Sequence, residues 1–369
     1  MTTRCYIRPV GRVTAAPDAL AAGSADVVRI GERGHAVFAA FELIRRHGDK
    51  SLDRLLVAPE EVRRTIEKRE PGAEDLARAL AGIAARRASI AGLTLDRPRL
   101  MGIVNVTPDS FSDGGSLSDA RAAIDFARRL ADEGAEIIDI GGESTRPGSD
   151  PVPLDEELRR VMPVIEGLAG RIAARISIDT RKAEVMRRAA ASGAEVINDV
   201  SALGHDPDSL QVAVESQLPV VLMHAKGDPK TMQRDPRYDD VLLDVFDDLA
   251  ERVEICVAAG ISREQLIVDP GIGFGKTVAH NLALLAGLSL LHGLGTPCLL
   301  GASRKSTIGT LTGAKDPAER VPGSIAAALA GAMQGAQILR VHDVAQTRQA
   351  LTVWEAAITG RSSGDVGSA

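Results

Sequence analysis

The chain has 369 residues, 44% of them hydrophobic and 25% charged, a balance that excludes a disordered or membrane-embedded protein and points to a soluble globular one. A formal net charge of −6, only 2% aromatic residues and interleaved acids and bases exclude a basic nucleic-acid surface with stacking platforms. Cys5, Cys256 and Cys298 form no CxxC pair, and no uncharged apolar run approaches about 18 residues, so neither a disulfide framework nor a membrane partner is expected and residence is cytoplasmic.

Residues 1–85 read as a mainly helical N-terminal extension, with helices over 36–46, 59–68 and 74–86 and no chemistry-bearing motif. His35 and His47 stand singly there and read as surface or packing residues. From about residue 99, short Val/Ile/Leu runs alternate with longer helix-period segments. The runs predict strands over 100–106, 136–140, 175–178, 195–200, 220–223, 266–268, 298–300 and 337–341. Helices are predicted over 120–133, 154–169, 182–191, 239–259, 281–288 and 323–334. A short helix falls within 201–217, and 226–237 reads as a polar loop. In the acidic stretch 239–254, Val241, Leu242, Val245, Leu249 and Val253 recur at helical spacing, so its carboxylates read as a solvated face. Residues 361–369 read as a flexible tail.

Eight strands, apolar almost throughout and separated by helices, predict a (β/α)8 TIM barrel over 86–360. A doubly wound sheet would give similar spacing. In a barrel the chemistry sits at the C-terminal strand ends, and here those ends carry Asn105, Gly141 to Gly148, Asp179 to Arg181, Asn198, His224, Asp269 to Lys276, Ser303 to Ser306, and Arg340 with His342. Asp179, Asn198 and Asp269 come from three strand ends. Carboxylates beside an amide suit an aminopyrimidinone edge, the alternative being that each caps its following helix. Arg340 and His342 leave one face of the last strand and, with Arg146 and Asn105, suit an anion clamp for phosphate. The alternative there is a salt bridge from Arg340 to a loop carboxylate such as Asp343. Lys305 could reach a ring carbonyl or nitrogen. Residues 269–276 lack the P-loop spacing, so their glycines read as permitting tight turns and close ligand approach. No zinc pattern occurs, and Mg2+ held mostly through substrate phosphates is the cofactor expected.

The segments MGIVNVTPDSFSDGG at 101–115 and AEIIDIGGESTRPG at 135–148 resemble the two signatures of dihydropteroate synthases. Residues 269–276, GASRKS at 301–306 and RVHDV at 340–344 match in the same order, and the resemblance spans about residues 88–358. It implies a sulfonamide-target transferase that joins 6-hydroxymethyl-7,8-dihydropterin pyrophosphate to p-aminobenzoate in folate biosynthesis, and a homodimer. By position it implies that Asp179, Asn198, Asp269 and Lys305 hold the pterin, with Met223 packed on its ring. Asn105, Arg146, Arg340 and His342 would hold the pyrophosphate, Asn105 also touching Mg2+. The catalytic set would be Asn105, Arg146, Lys305, Arg340 and His342. Thr145, Pro147, Phe274 and Ser306 would frame the p-aminobenzoate, and the segments 107–116 and 143–150 would be mobile. One departure is Ala225-Lys226 after His224, where the family commonly has Met-Gln. Competing readings are a pterin-dependent methyltransferase, which needs no anion clamp, and a barrel without catalysis whose extension mediates assembly.

Overall fold

The computed structural model describes residues 3–14, 27–31, 36–107, 115–144, 149–227 and 231–360. His35 and the tail at 361–369 lie outside the described residues. Strand β1 (Arg4–Arg12) and strand β2 (Val28–Arg29) each pair antiparallel with β3 (Val37–Arg46), as does β4 (Leu52–Val57). Helices α1 (Pro59–Glu67) and α2 (Ala73–Ala84) follow.

The helix expected at 36–46 is therefore a strand, and the extension is a sheet with two helices instead of a mainly helical unit. Phe38, Phe41 and Ile44 recur every third residue and mimic a helical stripe because β3 is covered on both faces. Phe41 and Leu43, with Cys5 and Ile7, pack under Val62 of α1 and Leu76 of α2, whereas Ile44 and Tyr6 join the larger core cluster between the barrel's strands and helices.

The barrel strands are β5 (Arg99–Asn105), β6 (Ile137–Gly141), β7 (Arg175–Asp179), β8 (Val196–Asp199), β9 (Val220–Met223), β10 (Leu266–Asp269), β11 (Leu299–Leu300) and β12 (Ile338–Val341). All their pairings are parallel, β5 to β10 run in sequential order, and β12 lies between β5 and β11. A bridge from Val268 to Cys298 closes the ring. The helices are α3 (Gly115–Asp132), α4 (Leu154–Leu168), α5 (Ala183–Ala191), α6 (Ser209–Ser216), α7 (Val241–Ala258), α8 (Val278–Gly287), α9 (Ser306–Thr312), α10 (Val321–Met333) and α11 (Val344–Thr359). The expected (β/α)8 barrel forms, with α9 and α11 added to the helices legible in the sequence.

Strand parity sorts the interior. Met101, Ile137, Val196, Val221, Ile267, Leu299 and Ile338 form an apolar layer with Ile90 and Leu95, from the segment that precedes β5. Two residues further along, the same parity gives Asp139, Asn198, Met223, Asp269 and Arg340. The opposite parity, including Ile138, Ile140, Ile178, Leu222 and Leu339, packs in the core cluster that the helices share. The barrel is thus sealed by hydrocarbon below and lined by polar groups above.

The N-terminal sheet lies against the helical wall. Tyr6 meets Phe246 edge-on at 5.7 Å and its hydroxyl donates to Asp247 at 2.9 Å. Arg12 donates to the carbonyls of Ala332 and Met333 at 2.8 Å each, at the C-terminal end of α10, and sits 4.9 Å over the Trp354 ring. The 3-10 segment Leu288–Leu294 is buried along its whole length, in contact with β1 and α2, and Ser289 donates to the Pro9 carbonyl at 2.8 Å. The acidic face of α7 is not simply solvated. Arg46 donates to Asp244 at 2.6 Å, and Arg4 pairs with Asp247 at 3.1 Å. Cys5, Cys256 and Cys298 are free and buried.

Candidate active site

The floor of the mouth is a charged network carried by four strands, β6, β7, β8 and β12. Arg340 on β12 reaches across the barrel, donating from Nε to Asp139 Oδ2 at 2.6 Å and from Nη2 to Asp179 Oδ2 at 2.7 Å. Asn198 Nδ2 donates to the same Asp139 oxygen at 3.0 Å. Asp139 has no solvent exposure, and among the described residues its Oδ1 has no hydrogen-bond partner. Burial pushes the Asp179 carboxyl up to about 7, against the pull of Arg340 and with Asp139 and Asp199 adding to the rise. Burial also works against the Arg340 charge, but Asp139 and Asp179 outweigh it and the guanidinium is held more firmly charged than usual.

A second set stands on the glycine-rich turn after β10. Asp269 is buried and accepts from the Gly271 amide at 2.7 Å, and burial raises its carboxyl against the attraction of Lys305. Lys305 donates to the Ile272 carbonyl and lies 4.7 Å over the Phe274 ring, and burial lowers its ammonium to about 8. Gly271 has φ +65° and Gly275 φ +61°. A Cβ on these two would fall 1.9 Å from the His224 carbonyl oxygen and 2.3 Å from that of Lys226. Both glycines let the turn lie flat on the end of β9, so the close approach is to the chain's own backbone. Lys276 fastens the same contact, donating to His224 Nδ1 at 2.8 Å, the His224 carbonyl at 3.2 Å and the Phe274 carbonyl at 2.9 Å.

The remaining expected residues surround this floor. Asn105 ends β5 half-buried, and His342 follows β12 with its Nδ1 3.0 Å from the Ser303 hydroxyl. Met223 is buried beside Asp269 in register. Ser306 is exposed at the start of α9. Thr145, Arg146 and Pro147 lie outside the described residues, as do parts of the segments 107–116 and 143–150. Asp179, Asn198, Asp269, Lys305 and Arg340 do converge, and they do so on the same end of the barrel as Asn105 and His342. Asp343 pairs with Arg304 at 2.5 Å, so it is not the partner of Arg340. Sequence reasoning missed Asp139, whose signal was a lone carboxylate inside the apolar run Ile137–Gly141, and Lys276, whose signal was its place at the end of the glycine-rich turn.

Several strongly shifted ionisable groups at one barrel mouth mark a candidate functional site, and buried carboxylates beside an amide offer the acceptors and donors that a nitrogen heterocycle needs. Residues 101–342 match the family model described as pterin binding enzyme. The dihydropteroate synthase of Escherichia coli (strain K12) is 49% identical over 271 residues, 73% of this chain and 95% of that protein. A Xanthomonas albilineans dihydropteroate synthase solved with 4-aminobenzoic acid is 54% identical with a TM-score of 0.70, over 74% of this chain and 98% of that one. The enzyme of the same organism in complex with 7,8-dihydropteroate is 53% identical with a TM-score of 0.66, over 72% and 95%. This chain belongs to the dihydropteroate synthase family. The family match begins at residue 101, after the N-terminal sheet.

Proposed function

We propose that the chain condenses 6-hydroxymethyl-7,8-dihydropterin pyrophosphate with p-aminobenzoate, giving 7,8-dihydropteroate and pyrophosphate. The observation that carries this reading is the convergence of Asp139, Asp179, Asn198, Asp269, Lys305 and Arg340 on one barrel mouth, in a family whose solved members hold 7,8-dihydropteroate and 4-aminobenzoic acid.

In this reading Asp179, Asn198 and Asp269 take the ring's N–H and carbonyl groups, Lys305 reaches its oxygen or nitrogen edge, and Met223 packs on its face. Arg340 underlies the ring and, with Asn105, Arg146 and His342, stabilises the departing pyrophosphate. The methylene C–O bond breaks, the arylamine nitrogen forms the new C–N bond, and that nitrogen releases one proton. Thr145, Pro147, Phe274 and Ser306 frame the arylamine. Among the described residues no group of three or more His, Cys, Asp or Glu could hold a metal ion, and the family resemblance gives the Asn105 amide oxygen as the chain's own donor. That sparse set fits Mg2+ held chiefly through the diphosphate, where it would neutralise charge on the leaving group. Residues 1–85 form an appended unit and 86–360 the catalytic barrel; the family resemblance extends the reading to a cytoplasmic homodimer.

The test is pyrophosphate release from purified protein given both substrates, with 7,8-dihydropteroate identified by mass. Release that requires p-aminobenzoate supports the reading. Pterin binding without pyrophosphate release would instead fit a methyltransferase and overturn it.

A further inference from the structure

The loop from β9 to α7 reaches the glycine-rich turn at described points on both sides of residues 228–230. Tyr238 is half-buried, and its hydroxyl donates to the Gly275 carbonyl at 2.8 Å. Its ring meets His280 edge-on at 5.0 Å and carries the Lys226 ammonium at 4.5 Å. Gln233 donates to the Gly273 carbonyl. These contacts hold the backbone on either side of Phe274 and next to Ile272, whose carbonyl anchors Lys305.

The residues that follow Tyr238 are gripped by the N-terminal sheet. Arg54 on β4 donates to Asp240 at 2.8 Å, and Asp240 caps α7 by accepting from Leu242 and Leu243 at 3.1 and 3.0 Å. Arg46 on β3 donates to Asp244, whose other oxygen accepts from the Asp239 amide at 2.8 Å. Lys50 pairs with Asp239 at 2.8 Å, both largely exposed. Two of the three grips involve mostly buried acids: the Asp240 and Asp244 side chains are 18% and 22% exposed. Ion pairs of that kind hold geometry better than exposed ones.

We propose that the N-terminal sheet is a positioning element for the arylamine side of the site, with Arg46 and Arg54 as its positioning residues. They fix the start of α7, which fixes Tyr238, which fixes the turn bearing Phe274. The inference rests on the reading that Phe274 borders p-aminobenzoate, and it assigns residues 1–85 a part in substrate affinity.

The experiment compares the full chain with the R46A/R54A double variant and with Arg12→Ala. The Arg12 variant loosens the sheet at α10 and α11, on contacts that do not touch the loop. For R46A/R54A we expect KM for p-aminobenzoate to rise about three- to tenfold, KM for the pterin substrate to rise less because Lys305 leans on the Ile272 carbonyl of the same turn, and amide exchange over 231–240 and 271–276 to quicken. Arg54→Lys with Arg46→Lys should recover part of the affinity. For Arg12→Ala we expect a lower Tm with both KM values unchanged. Unchanged exchange in R46A/R54A overturns the proposal, and so does an equal KM rise in Arg12→Ala, which would report general loosening. The exchange measurement reads the brace whether or not the parent chain turns over, so a failure of the assigned reaction is distinguishable from a failure of the brace.

Discussion

Arg340→Ala should damage folding as well as turnover. The guanidinium makes two short, charge-assisted hydrogen bonds, to Asp139 at 2.6 Å and to Asp179 at 2.7 Å, and both acceptors are buried. Removing it leaves two carboxylates facing each other without a cation, a change of about 3 to 5 kcal/mol for a broken buried ion pair. At about 2 °C per kcal/mol for a protein of this size, Tm should fall by roughly 6 to 10 °C. The loss should depend on pH. Asp179 is already raised to about 7 with Arg340 present, so without it the folded-state carboxyl climbs further above the unfolded value. A raised carboxyl binds its proton more tightly when folded, so its destabilisation is fully present above the folded pKa and is relieved as pH falls toward the unfolded one. Thermal unfolding followed by far-UV circular dichroism at pH 8 and at pH 5.5 reads this directly. The deficit should be larger at pH 8, and adding Asp139→Asn to Arg340→Ala should recover part of it. A wild-type midpoint at pH 8, or a deficit that does not change with pH, would refute the reasoning. Turnover should fall by about 100-fold or more, since the same charge faces the leaving group in the proposed reaction.

Asp179→Asn replaces an acceptor with a partial donor, and calorimetric titration with 6-hydroxymethylpterin should show binding weakened about 10- to 100-fold; an unchanged Kd would remove Asp179 from the pterin floor. Gly271→Ala forces a Cβ to within 1.9 Å of the His224 oxygen at φ +65°, and urea unfolding should register a loss of about 3 kcal/mol or more. Burial lowers Lys276 from 10.5 to about 7, so between those values the unfolded chain holds a proton that the folded one releases and stability rises with pH. Lys276→Met should flatten that rise in a series of unfolding measurements from pH 7 to about pH 10. Tyr6→Ala empties a site inside the barrel's core cluster and should lower stability by about 3 to 5 kcal/mol, measured by denaturant midpoint.

The barrel was legible because both faces of its strands are covered, so each strand reads as an apolar run that stops at polar or glycine-rich residues. The same logic hid the first domain-like unit. Strand β3 is also covered on both faces, but Phe38, Phe41 and Ile44 happen to fall at a helical interval, and nothing local distinguishes the two. Asp179 and Asp269 were legible because they end their strands, and Asn198 because it stands one residue from the end of its own. Asp139 was not, because it sits in mid-strand, where its partner Arg340 is 201 residues away. The acidic start of α7 read as solvated for a similar reason: Arg46 and Arg54 lie 198 and 186 residues from Asp244 and Asp240, a pairing that only the tertiary fold supplies.

The single tryptophan of the chain lies directly beneath the Arg12 guanidinium, on the last helix of the barrel. Indole emission is sensitive to a cation at that range and to water, so the protein carries a built-in optical signal for whether its first strand is seated. During stepwise denaturation, a change in Trp354 fluorescence ahead of the loss of helical ellipticity would mark the sheet peeling away from a barrel that is still intact; coincident changes would mark the two as one cooperative body.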